Sequence, residues 1–322
     1  MSSTDTSGSL DRTREKNEGA AAKFDTTDVA GGVLPRDLFE QFYQEVQDTA
    51  MMLEDARTED LPRQKMALPK ISVGERQRRG ASEGEGDAGN ASVDTSQVPM
   101  DVEKATVSYD LTREAVDDTV DNVDEIILDM LARQFAIDTQ DLGINGDEAD
   151  ADAFLNQNDG WLKILQNDGD VNTYDHTDGG GTAQPVNTDL FNASILAMPN
   201  KYLRSGRTQP RFYMNLDQLQ NYHNDLAQRN DPLGAAVLMG DDEATPFDYD
   251  VVGVANWPKD TAVFTHPQNF IYGLYDDVEI RVLTDTDKVA ENDLFARYFM
   301  RVRDDFAVEA PEAAVLITGI AE

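Results

Sequence analysis

The chain has 322 residues, no cysteine, and a formal charge of −35 at pH 7 from 62 acidic against 27 basic side chains. These values exclude disulfides and thiolate chemistry and leave room for two domains, or for one domain with extensions. No apolar run approaches the ~18 residues of a membrane span, and the N-terminal MSSTDTSGSL has neither a charged lead nor an apolar stretch, so neither membrane insertion nor ordinary secretion is expected.

The make-up of the charge is specific. There are 43 Asp to 19 Glu and 18 Arg to 9 Lys, and the acids are spread through periodic segments as well as loops. In ordinary salt such a charge opposes the compact state by self-repulsion, whereas molar salt cuts the screening length to about 3 Å and removes most of that cost. A halophilic surface and a high-salt habitat are the reading. The same balance argues against a free nucleic-acid reader, which would carry a basic patch.

In chain order, residues 1 to about 30 are Ser-, Thr-, Asp- and Gly-rich without apolar periodicity and read as an arm held only by something outside its own domain. A helix is predicted from Pro35, with Leu38, Phe42, Val46, Thr49 and Leu53 on one face. Residues 64–74 and 98–110 read as the two strands of a long hairpin, the second alternating through Ala105, Val107, Tyr109 and Leu111. Between them, 80–92 (GASEGEGDAGNAS) has turn chemistry and no core residue, so the hairpin is expected to project from the body. Its bases Arg63, Lys65, Lys70, Arg76, Arg78 and Arg79 face a single acid, Glu75, within 63–79. In so acidic a molecule, that finger reads as an electrostatic plug for another copy rather than as a solvated loop.

The stretch TREAVDDTVDNVDEIILDMLARQFAI (112–137) predicts a long helix capped by Thr112, with Val116, Val120, Val123, Ile127, Met130, Leu131 and Phe135 on one stripe. The opposite face is acidic, so this spine needs a core on one side only. Residues 143–181 read as loops, with Leu162, Ile164 and Leu165 touching the core. An EF-hand frame starting at Asp168 fails at Thr173 and Gly179, where glycine and glutamate are required, which leaves loosely bound cations or a hydrated turn. A second unit begins near Thr188: a helix through Met198, a strand at 210–214, and a helix capped by Asn215 with Gln218 as the capping-box partner. His223 on that helix reads as a core-edge residue. Strands follow at 248–257, 261–266, 269–275 and 277–285, expected to form one sheet flanked by the two helices. Last come LFARYFMRVRDDFAV (294–308), with Phe295, Arg297, Phe299, Arg301 and Arg303 on one face, and the buried strand 313–320.

Catalytic patterns are wanting. GINGDEAD, DGGGTA and MGDDEA fit neither GxGxxG nor GxxxxGK[ST], and His176, His223 and His266 are scattered, so no enzyme, cofactor or ligated metal is expected.

The order of parts resembles the major capsid proteins of tailed double-stranded DNA viruses, the HK97 fold. The residues most similar are KATVSYDLTREAVDDTVDNVDEIILDMLARQFAIDTQDLGINGD (104–147), with FYMNLDQLQNY (212–222) and DYDVVGVANWP (248–258). With the acidic composition, a virus of halophilic archaea is implied. The resemblance implies an α+β chain divided into an N-terminal arm (1–60), an extended loop (61–110), a peripheral domain (111–186 with 286–322) and an axial domain (187–285). It implies hexamers and pentamers of a virion shell assembled in the host cytoplasm around double-stranded DNA that is not read in sequence, with scaffold, portal and decoration proteins as further partners. Inter-subunit contacts would come from the hairpin bases, from Asp117, Asp121 and Asp124 on the spine, and from Leu38, Phe42 and Val46 on the arm. Some family members cross-link a hairpin lysine to a neighbour's asparagine, and here 80–92 holds no lysine, so charge is expected to substitute. Two rivals stand: an encapsulin-type compartment around cargo protein, and a halophilic binding protein using the Asp-rich 145–181.

Overall fold

A computed structural model describes residues 50–73, 93–113, 123–203, 209–228, 245–275 and 279–321. After one helical turn at Met51–Asp55, β1 (Arg57–Leu61) leads to β2 (Lys65–Val73), β3 (Val93–Asp101) and β4 (Glu103–Thr112). Helices α1 (Val123–Asn145) and α2 (Trp161–Asn167) follow, then β5 (Asn172–Asp175), α3 (Thr188–Ala197), β6 (Arg211–Asn215) and α4 (Leu216–Ala227). The chain closes with β7 (Val251–Val254), β8 (Ala262–Thr265), β9 (Phe270–Tyr275), β10 (Glu279–Leu283), β11 (Leu294–Val308) and β12 (Ala314–Thr318).

Two five-stranded sheets share the core. In the first, the 15-residue β11 pairs with β4 on one edge, while β10 and then β9 follow its other edge, and β1 adds in parallel to β9. The second runs β5-β12-β8-β6-β7. The expected single sheet of 248–285 is therefore split: β7 and β8 join the second sheet, β9 and β10 the first. Strand pairing also crosses the division between 187–285 and 286–322, because β12 lies between β5 and β8 while β9 lies beside β11. Local period-two patterning marks a strand but carries no information about its partner, so these assignments needed the tertiary structure.

The strict alternation of β11 holds. Ala296, Tyr298, Met300 and Val302 are buried, and the intervening residues lie on the open face. The buried face packs on α1 and α2. Trp161, fully buried at the start of α2, lies between Phe270 and Phe306, with ring centroids at 5.1 and 5.3 Å, and its Nε1 donates to the Ile271 carbonyl at 3.1 Å. The opposite face of the second sheet carries a separate core in which Leu190 and Phe191 of α3 and Tyr222 and Leu226 of α4 meet Phe212 and Phe264. His223 is half-buried beside Tyr222.

The spine differs from its sequence reading at its far end. Thr112 closes β4 and directly precedes the helical Arg113, and α1 continues past Ile137 and through Gly143 to Asn145. Its buried stripe is Ala132, Phe135, Ala136, Thr139 and Leu142, whereas Met130, assigned to the core by spacing, is 64% exposed. Val116 and Val120 lie outside the described residues. The helix passes through Gly143 because a Cβ there would stand 2.8 Å from Phe306 Cε1 and 3.1 Å from Trp161 Cζ3, so the absence of a side chain brings the spine down onto β11 and α2.

Asparagine side chains cap α3 and α4, the second as the sequence reading has it. Asn187 accepts from the backbone of Asp189 and Leu190, and Asn215 accepts from Asp217 N at 2.8 Å. Gln218 does not complete a capping box. It is buried and donates to the carbonyls of Ala321 (2.7 Å) and Lys259 (3.3 Å), tying α4 to the chain's end. The Asp-rich loops build Asx turns: Asp147, Asp150, Asp152, Asp168 and Asp178 each accept from a backbone N–H two residues on. Among the described residues no three His, Cys, Asp or Glu side chains group around a metal position.

Candidate inter-subunit surface

The hairpin is β2 paired with β3, from Lys65 opposite Asp101 to Val73 opposite Val93. The residues 98–110, read as one strand, divide at Val102 into β3 and β4, which serve different sheets. Contrary to the expectation that it stands clear of the body, the hairpin has a packed root. Met100 is 2% exposed and shares a cluster with Leu61, Val102, Ile271 and Ala307; Gly273 supplies the space, since a Cβ there would meet Met100 Cε at 2.3 Å. Asp101 N donates to Asp305 Oδ2 at 2.7 Å, and Val102 N to the Gln64 carbonyl at 3.0 Å. Clefts of about 690 and about 600 Å³ flank the root, the first bounded by Ser96–Pro99 and Phe306–Glu309, the second by Lys65–Ala67 and Asp305.

Further along the hairpin, Lys70 Nζ reaches Glu312 Oε1 at 3.2 Å, and the same oxygen accepts from Tyr202 Oη at 2.9 Å. Burial alone would raise the Glu312 carboxyl, but hydrogen bonds from its backbone, Tyr202 and Lys70 hold it below the ordinary value. The pair is worth about 0.5–1 kcal/mol at this partial exposure.

This changes the roles of the predicted cations. Lys65 pairs with Asp101 across the hairpin and Lys70 with Glu312, so both serve their own chain. Arg63 is exposed at the turn before β2. Arg76, Arg78 and Arg79 lie outside the described residues, as do Leu38, Phe42, Val46, Asp117 and Asp121; for Asp124 only its backbone place in α1 is described.

The structure assembles a second basic surface. On the open face of the first sheet, register sets Arg297 beside Asp110 and Leu283, Phe299 beside Ser108 and Arg281, Arg301 beside Thr106 and Glu279, and Arg303 beside Lys104. Five cations thus share a face with two carboxylates, Asp110 and Glu279, in a chain of charge −35. Arg297 Nε lies 3.2 Å from Asp110, and the Arg303 guanidinium stands 5.4 Å from the Tyr275 ring centroid. Phe295, 38% exposed, and half-buried Phe299 interleave with the arginines. The alternation of 294–303 was legible in sequence; the flanking strands that make it a patch were not.

Where the patch ends, β11 carries two consecutive acids. Asp304 is buried, accepts from Tyr272 Oη at 3.1 Å, and burial pushes its carboxyl up to about 7, the Tyr272 bond opposing and the Asp305 charge adding. Asp305, under the hairpin root, is pushed up to about 6 by burial, against bonds from the Asp101 and Phe306 backbone. A carboxyl raised in the folded state costs nothing below its unfolded value near 4, where both states are protonated. The cost grows as the unfolded state ionises and is constant above about 7. Asp304→Asn, which keeps an acceptor for Tyr272, is therefore expected to raise stability at pH 8 by about 2–4 kcal/mol and to leave it unchanged at pH 4. Urea unfolding at the two pH values checks this; equal gains at both would contradict it.

A long helix laid across a five-stranded sheet, a second helix-covered sheet, and a rooted hairpin define the HK97-like fold of shell-forming proteins. The chain is similar in structure to a capsid chain of a satellite phage P4 procapsid (TM-score 0.68, 14% identity, covering 98% of each chain) and to one of a native GTA particle (TM-score 0.59, 16% identity, 94% of this chain and 97% of that). In sequence it is 28% identical over 269 residues to a putative prophage capsid protein, YqbE, of Bacillus subtilis (strain 168), covering 79% of this chain and 83% of that one. Residues 30–319 match the phage capsid family, and the chain belongs to it. It is a structural major capsid protein, a wall component of an icosahedral shell.

Proposed function

We propose that copies of this chain form the hexamers and pentamers of a virion shell, assembled in the cytoplasm of a halophilic archaeal host and closed around double-stranded DNA without reading its sequence. Scaffold, portal and decoration proteins complete the particle. Neighbours are held without covalent links, by the N-terminal arm and by the hairpin's Arg76, Arg78 and Arg79 set against acids of the adjacent copy.

The observation that carries this reading is the rooted hairpin. Met100 and Lys70 fasten it to its own body, Lys70 meets Glu312 beyond the end of β11, and the strand pairing runs on from Lys70 to Val73 opposite Val93. A finger fixed at its root and leading beyond its own domain is suited to a neighbour. The charge of −35 supports the saline host, since only strong screening lets many such copies pack side by side.

Light scattering and negative-stain imaging of the purified chain in about molar salt test the assembly. Uniform shells tens of nanometres across are expected; a stable 35.6 kDa monomer, even with scaffold supplied, would sink the reading. Nucleic acid rather than cargo protein inside the shells separates a virion from an encapsulin-type compartment. The triple change Arg76→Ser, Arg78→Ser, Arg79→Ser is expected to lower shell stability, and unchanged shells would remove these residues from the contact.

A further inference from the structure

We propose that the outer edge of β4, Glu103 to Leu111, pairs antiparallel with the same edge of a second copy about a two-fold axis at Val107, joining two first sheets into one. The inference goes beyond the assembly reading above and can fail without it.

The edge comes first. Among the described residues β11 is the only strand that β4 pairs with, so the other side of β4 is an open edge ten residues long. Natural sheets break such edges with proline, a bulge or a mid-strand charge, because an unpaired ladder recruits any strand that fits it. The middle of β4, Ala105-Thr106-Val107-Ser108-Tyr109, holds no proline, glycine or charge, and threonine, valine and tyrosine favour the extended state. Val107 and Tyr109 lie on the same face as buried Leu111 and partly buried Ala105, yet they are 38% and 45% exposed. A strand added outside β4 would cover them.

The residues of the strand then name its partner. A two-fold axis perpendicular to the sheet keeps odd residues with odd and even with even. Of those registers, the one centred on Val107 alone sets Lys104 opposite the second copy's Asp110, and Asp110 opposite its Lys104. The same register puts Thr106 against Ser108, Ala105 against Tyr109 and Val107 against itself, so the uncharged middle meets only neutral residues. In its own sheet Lys104 stands directly opposite Arg303, a like-charge neighbour that a carboxylate on the outer side offsets. Asp110, held by Arg297 Nε at 3.2 Å on that same face, is still open to water. The contact is isologous: it closes on itself, and between rings of subunits it joins one ring to the next.

Because the chain has no cysteine, an introduced thiol reports the pairing directly. Across the axis the two Val107 Cα atoms stand about 4.5 or 5.5 Å apart, within disulfide reach, whereas the two Tyr109 positions are offset by about 13 Å. In about molar salt, the full chain carrying Val107→Cys and treated with a mild copper oxidant is expected to run mostly as a covalent dimer on a non-reducing gel. Tyr109→Cys is expected to link at least about tenfold less. Val107→Lys sets like charges together at the axis, and Lys104→Glu sets an acid against Asp110; each is expected to cut the yield of dimers or shells at least about tenfold. Lys104→Glu combined with Asp110→Lys is expected to restore it. Melting shows which variants fold, and the cysteine pair decides the matter if Val107→Lys does not. Equal linking at the two positions, no link at Val107, or a folded Val107→Lys chain that assembles at full yield overturns the proposal. Shells without the Val107 link would end this proposal alone, and linked dimers that never build shells would end the assembly reading alone.

Discussion

Replacing Gly146 with alanine is expected to destabilise the fold by about 3 kcal/mol or more, among the larger effects a single methyl group can have. Gly146 follows the last residue of α1; its N–H donates to the Leu142 carbonyl at 2.8 Å, and its own carbonyl accepts from Gly160 N at 2.9 Å. A Cβ there would stand 2.3 Å from the Asn158 carbonyl oxygen and 2.6 Å from that of Leu142, both backbone atoms that cannot swing aside. Gly160 is its counterpart, with a Cβ falling 2.8 Å from Gly146 N and from Leu142 O. The spine's end and the start of α2 therefore touch backbone to backbone. Relief requires moving α2, and with it Trp161, off the sheet. Urea unfolding of the subunit reads the loss; a change below about 1 kcal/mol would mean that the 146–160 loop is softer than this geometry allows.

Trp161→Ala is expected to cost about 3–5 kcal/mol, since the indole is completely buried between Phe270 and Phe306 and its removal leaves a cavity where α2, β9 and β11 meet. Trp161→Phe separates the contributions. It keeps an aromatic ring against Phe306 but leaves the Ile271 carbonyl without its donor, for about 1–2 kcal/mol beyond the lost volume. Both variants should impair shell assembly in proportion to subunit stability. A Trp161→Ala chain that unfolds at the original denaturant midpoint would show that α2 is not held to the first sheet through this residue.

These two positions show where the sequence was silent. The 143–181 stretch reads as loop because Asp, Asn and Gly dominate it, yet it holds the packing centre of the molecule at Trp161. Turn-forming residues between Gly146 and Gly160 fold the chain back so that a short helix can enter the core, and nothing in a local window reports that return. Met130 is the reverse case: its spacing fits the apolar stripe, but the sheet lies under Ala132, Phe135 and Thr139, about half a turn away.

The hairpin's cations divide in the same way. Their sign and clustering are visible in 63–79, but which of them stay at home depends on Asp101 and Glu312, the second of which is more than 200 residues away in sequence. The Arg face was visible as a period of two in β11 and became a surface only when β4 and β10 supplied Lys104 and Arg281 at matching register.

By itself, the sequence determined the order and kind of most elements, the cap at Asn215, the alternation of β11, and the resemblance to a shell-forming fold. Those follow from periodicity, capping chemistry and chain order, which are local or cumulative along the chain. Tertiary structure alone decided that β9 and β12 serve different sheets, that Gly143, Gly146 and Gly160 are contact points rather than breaks, and that Lys65 and Lys70 pair within their own chain while Lys104 and Arg281 join the arginines of β11 on one face. Strand partnership, backbone approach and ion pairing are properties of two segments at once, and sequence separation carries no energy by which either segment could announce the other.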